Sequence, residues 1–188
     1  GGNELLAEVY DNGERLAKDL ADWTARRDQI RQRLPRWERL QKLLHLAKGL
    51  PELPAIQAEV LAIVNQRCLL ADPDPVPELT TRITNLLRTA LQAAFDGYQQ
   101  TFKAKVTELN ANPTWQQLAP EQKQQIREAN GLQPLPTLQI QTTEDLMAEL
   151  SATPLASWAD RTNALTEKVA RAIRDATAPP SRSGHSSC

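Results

Sequence analysis

Hydrophobic positions recur in three- and four-residue steps through most of the chain. From Glu4 to Leu34 they fall at Leu6, Val9, Leu16, Leu20, Trp23, Ile30 and Leu34, with Gly13 and Arg27 standing where the series wants apolar residues. That spacing predicts an amphipathic helix with an imperfect heptad seam. Pro35 then either kinks this helix or opens a second one over Arg36–Lys48, because proline removes one helical hydrogen bond. Leu40, Leu43, Leu44 and Ala47 give the second segment its apolar face, and Gly49 with Pro51 behind it supplies the stop. A third helix is expected from Pro54 to about Leu70, with Ile56, Val60, Ile63, Val64 and Arg67 in its stripe and Leu61 and Cys68 alongside.

The run Asp72-Pro73-Asp74-Pro75-Val76-Pro77 is stiff, since each proline pushes its predecessor out of the α region. It also reads as a helix start, with Asp74 able to cap, Pro75 or Pro77 suited to the first turn, and Glu78 complementing the helix dipole. The helix that follows is uninterrupted from Pro77 to Asn110 except for Gly97, and would span roughly 50 Å. Its stripe runs through Ile83, Leu87, Ala90, Leu91, Ala94, Phe95, Tyr98, Phe102, Val106 and Leu109. A helix of that length buries its stripe only against an equally long neighbour, and the first helix is the expected one.

Beyond Asn112-Pro113 the elements shorten. One turn carries Trp115, a polar helix covers Pro120 to Ala129 with Ile126 as its lone aliphatic, and Asn130-Gly131 stops it. The uncharged Gln-, Pro- and Thr-rich stretch 129–143 reads as a linker. Thr142 or Thr143 then caps a short helix to Ser151, with Leu146, Met147 and Leu150 inward. Thr153-Pro154 opens a last helix to about Ala176, with Leu155, Trp158, Leu165, Val169, Ala172 and Ile173 on one side. No fixed-period repeat is present. The expected fold is all-α, an elongated antiparallel bundle with coiled-coil-like long helices and a small helical cluster at one end. We expect one domain over residues 1–178, composed of a long-helix scaffold (3–110), a small helical insertion (113–152) and a closing helix (153–178). Gly1-Gly2 reads as a protease-cleavage remnant and residues 179–188 as a disordered or non-native tail.

Composition narrows the function more by exclusion than by pointing to one. The 188 residues are 40% hydrophobic, 24% charged and only 4% aromatic, with net charge −1, so no global field recruits nucleic acid or anionic lipid. No stretch approaches the roughly 18 apolar residues of a membrane span. Two cysteines, Cys68 and Cys188, make no disulfide framework and fit a reducing, cytoplasmic setting. Neither G-x-x-x-x-G-K-[ST] nor G-x-G-x-x-G occurs, and two histidines without paired cysteines offer no metal cluster. Glu144-Asp145 is explained by a helix N-terminus rather than by acid–base chemistry. We expect no enzyme activity, no cofactor and no metal. One charge feature remains: Arg26, Arg27, Arg31, Arg33, Arg36, Arg39 and Lys42, with Trp23 and Trp37 interleaved, could contact phosphates on DNA or RNA. At 100° per residue, however, these cations spread around the helix. The small-residue patch Ala90, Ala93, Ala94 and Gly97, flanked by Leu91, Phe95, Tyr98 and Phe102, is either a protein-contact surface or a face covered within the chain by the first and last helices.

Four consecutive segments carry a resemblance. RWERLQKLLHLA, LLADPDPVPELTTRITNLLRTALQAAFDGYQQTF, WQQLAPEQKQQI and LSATPLASWADRTNAL resemble, in that order, the C-terminal region of the BrxC/PglY family, over roughly residues 20 to 176. That family comprises large P-loop ATPases of bacterial BREX phage-defence systems. The resemblance implies a helical domain excised from such an ATPase, acting in assembly with other defence components or with itself. ATP is implied only for the parent protein, because its Walker motifs have no counterpart here and no catalytic residue carries over.

Overall fold

In the computed structural model the described residues are 1–65 and 72–178. The expected end of the third helix near Leu70, Arg67, Cys68 and the tail 179–188 lie outside them. The protein is all-α: seven helices and no strand occur among the described residues. They are α1 (Gly2–Leu46), α2 (Leu53–Asn65), α3 (Val76–Asn110), α4 (Pro113–Gln116), α5 (Pro120–Ala129), α6 (Thr143–Ala152) and α7 (Ser157–Thr177). The chain divides into two units, Gly1–Asn85 and Leu86–Cys188, so the boundary falls inside α3.

In the first unit, Pro35 neither ends α1 nor starts a new helix. The helix runs for 45 residues with Pro35 inside it, giving up the hydrogen bond that an N–H at this position would donate one turn back. Beyond it the spacing holds: Leu40, Leu43, Leu44 and Ala47 are buried, as are Leu53, Ile56 and Val60 of α2 and Val76, Leu79 and Ile83 of α3. Ala47 closes the helix through its N–H to the Leu43 and Leu44 carbonyls, and Gly49 takes the left-handed φ of 95° expected after a helix end. Asp74 does the capping work the sequence assigned to it. Its Oδ1 accepts the Val76 N–H at 3.1 Å, and its other oxygen lies 3.8 Å from Arg33 and 3.5 Å from Arg36 of α1. Arg82 of α3 donates to Glu59 of α2 at 2.6 Å.

The α3 stripe is buried or half-buried from Ile83 to Leu109, but the expectation that α1 buries its stripe along its whole length does not hold. Every residue from Gly1 to Gln32 is exposed except Thr24, which is half-buried. Only the last turns of α1 enter a core.

The second unit is organised around α7, onto which α4 and α5 pack. Trp158 stands at its start with Phe95 and Tyr98 of α3 edge-on to its ring, at 6.1 and 6.0 Å between centroids. Leu165, Val169, Ala172 and Ala176 continue the buried face of α7 in helical steps. Trp115, fully buried on α4, is held by the Asn112 side chain accepting its backbone N–H at 3.1 Å. Helix α5 ends at Asn130, whose Nδ2 donates to the Ile126 carbonyl and to Asp175 of α7, both at 2.9 Å. Gly131 follows with φ 66°, and a Cβ there would lie 3.3 Å from the Lys168 ammonium. The extended stretch after it is pinned by buried Leu132 and by Gln99 donating to the Leu135 carbonyl. Pro154 does not open α7 directly. It opens a turn in which its carbonyl accepts the backbone N–H and the hydroxyl of Ser157, where the helix begins.

Helix α6 starts with a reciprocal cap. Thr142 Oγ1 accepts the Asp145 N–H at 3.1 Å, while Asp145 accepts the N–H groups of Thr142 and Gln141. These bonds, the Thr142 N–H foremost, hold the Asp145 carboxyl below its ordinary range. A lowered folded-state pKa adds stability above the unfolded pKa, and that contribution is lost as pH falls through the folded one. Asp145→Asn should therefore lower Tm at neutral pH. The gap to the wild type should persist down to about pH 4, the ordinary aspartate value, and close below it. Thermal melts by circular dichroism across that range check it.

Candidate functional site

The expected contact surface on α3 is not a surface. Leu91, Phe95, Tyr98 and Phe102 are buried, and Ala94 is half-buried. Phe95 and Tyr98 meet Trp158 of the same unit. Tyr98 stacks on Phe102 at 6.3 Å, and Arg161 lies 5.7 Å over the Tyr98 ring. Burial pushes the Tyr98 hydroxyl above its ordinary pKa, as a core position does. Of the small residues, Ala93 and Gly97 point to the exposed side of α3 instead.

The basic segment of α1 does not gather into one phosphate-binding face. Arg27 sits 3.7 Å from Asp28, and Arg33 and Arg36 turn to Asp74. Arg39 is half-buried, while Arg26, Arg31 and Lys42 are exposed. Stepping 100° per residue places Arg36 and Arg27 on opposite sides of the helix. Two of the seven candidates, Arg33 and Arg36, thus pair with Asp74 at the start of α3.

What the structure presents instead is the stripe that the sequence had assigned to the interior. Leu16, Leu20 and Trp23 are 69%, 66% and 65% exposed, and Leu6, Val9, Ile30 and Leu34 are exposed with them. Leu5 and Tyr10 widen the stripe at its N-terminal end. The seam keeps strict alternating steps of three and four from Leu6 to Trp37, four and a half heptads by our count. A stripe of this kind is what a partner helix packs into. The missed signal was already in the seam: Gly13 and Arg27 interrupt it at positions that a closed core fills with aliphatic residues.

At the base of this helix, Trp37, Leu44, Leu53, Val60, Leu61 and Val64 border an open apolar groove between the end of α1 and α2. Among the described residues that line it, His45 and Lys48 are the ionisable ones. No cluster of three or more metal-ligating side chains occurs among the described residues, and no described helix is long and apolar enough to cross a membrane. Fold and site together describe an all-α protein that presents a long, uncovered amphipathic helix. Comparison with family models, curated proteins and solved structures returned no match for this chain.

Proposed function

We propose that this chain is a non-catalytic helical assembly domain whose α1 stripe, Leu6 to Leu34, is the surface that binds other protein. The observation that carries the reading is the exposure of that stripe. Helices in water draw most of their stability from burying an apolar face, and this stretch buries none of its own among the described residues. Nine large apolar side chains on one helix exceed the scattered apolar exposure of an ordinary surface. The resemblance to the C-terminal region of BrxC/PglY proteins suggests the setting, assembly of a cytoplasmic phage-defence ATPase, with nucleotide chemistry left to the parent. The basic segment as a nucleic-acid interface is the weaker reading, since Arg33 and Arg36 are engaged by Asp74.

The test is positional. A photo-cross-linking residue at position 16 or 20, inside the stripe, should give covalent protein adducts in the native cell. The same group at Lys18, on the opposite side of the helix, should not. Adducts from neither stripe position, or equal adducts from all three, would remove the assembly reading.

A further inference from the structure

The stripe of α1 carries information about its occupant, because charge is segregated along the same helix. Residues 4–22 hold six carboxylates against Arg15 and Lys18, whereas residues 26–36 hold five arginines against Asp28 alone. Charge is thus segregated lengthwise, although of the six carboxylates only Asp19 flanks the seam. In a parallel pair, Arg27 would lie on Arg27 and Arg26 beside Arg31. Like charges so placed are destabilising.

The side-chain sizes lead to the same arrangement. In an antiparallel coiled coil each a position faces a d position of the other helix. With Leu16 of one copy opposite Leu20 of the other, the flanking layers set Gly13 against Trp23, Val9 against Arg27, and Leu6 against Ile30. Both interruptions of the seam are then accommodated. The only glycine in the stripe faces its largest side chain. Arg27 falls beside the acidic first turns, with Glu8 next to its opposing Val9. Asp19 alone meets its own copy near the centre, where Arg15, one turn earlier on the same helix, offsets it. This register pairs the stripe from Leu6 to Ile30 and leaves the Arg33–Asp74 and Arg36–Asp74 pairs untouched.

We infer that the exposed stripe of α1, Leu6 to Ile30, pairs antiparallel with the same stripe of a second copy of this chain, with Leu16 and Leu20 at the centre. The inference rests on the assembly reading above, and the two fail in different experiments. In sedimentation equilibrium the purified full chain should run at the mass of two chains. Leu16→Glu combined with Leu20→Glu should run at the mass of one, with the Trp158 core still melting cooperatively. Orientation is read by disulfide capture in a Cys68→Ser, Cys188→Ser background. Mixing Leu16→Cys with Leu20→Cys chains should give the mixed disulfide, whereas Leu16→Cys alone should cross-link poorly. A wild type that stays at one chain mass at high concentration overturns self-pairing, while stripe adducts of another mass in the cell would leave the assembly reading standing. A Leu16→Cys disulfide that outcompetes the mixed one shows parallel pairing and overturns the inference, as does a dimer that survives the double glutamate variant.

Discussion

Trp158→Ala should cost the second unit about 3–5 kcal/mol, the range for deleting a buried large aromatic side chain. The ring is 3% exposed and carries two edge-on aromatic contacts, so its loss opens a cavity bounded by Phe95 and Tyr98 on one helix and by α7 itself. Each aromatic pair adds roughly 0.5–1.5 kcal/mol beyond the buried area. Arg161, 4.7 Å over the indole, would lose its cation–π partner as well. Trp158→Phe is the informative control. The buried indole N–H has no hydrogen-bond partner among the described residues, so phenylalanine forfeits no bond and loses volume only. We expect its penalty to be less than half that of alanine. Urea denaturation followed by far-ultraviolet circular dichroism measures both; equal penalties for the two variants would show that the ring contacts are not what the position supplies.

The limits of the helices were legible where proline and glycine punctuate the chain. Asp74, Pro113, Pro120 and Gly131 act through fixed φ, missing donors or a left-handed turn, which are local effects that a sequence carries in full. Pro35 was ambiguous because its penalty is a few kilocalories per mole, and the core side chains that follow it, Leu40 to Ala47, keep the helix in phase across it. Pro154 was misplaced by one turn because a proline suits a turn and a first helical position equally well. The site was less legible than the fold. The stripes of α1 and α3 share the same periodicity, and periodicity reports only that a face is apolar, not what covers it. What separates them is the content of the seam. The α3 stripe brings Phe95 and Tyr98 to Trp158, about sixty residues further along the chain. The α1 stripe has Gly13 and Arg27 where such a core would need bulk.

The same substitution on the two stripes should therefore give opposite results. Leu91 is fully buried, and Leu91→Glu places a carboxylate where it has neither water nor a partner. Such a charge either stays ionised at a cost of several kilocalories per mole or takes up a proton with its pKa raised by burial. Either way, the variant should lose most of the second unit's stability, and the loss should shrink as pH falls and the carboxyl neutralises. Leu20 is 66% exposed, and Leu20→Glu exchanges one good helix former for another in water. At concentrations too low for association, its Tm should stay within a degree or two of the wild type, in keeping with the roughly 0.5 kcal/mol span of ordinary surface substitutions. Paired thermal melts of the two variants at low protein concentration make the comparison. A Leu91→Glu chain that melts like the wild type would return residues 91–102 to the surface, and a Leu20→Glu chain that collapses would place the α1 stripe inside the molecule.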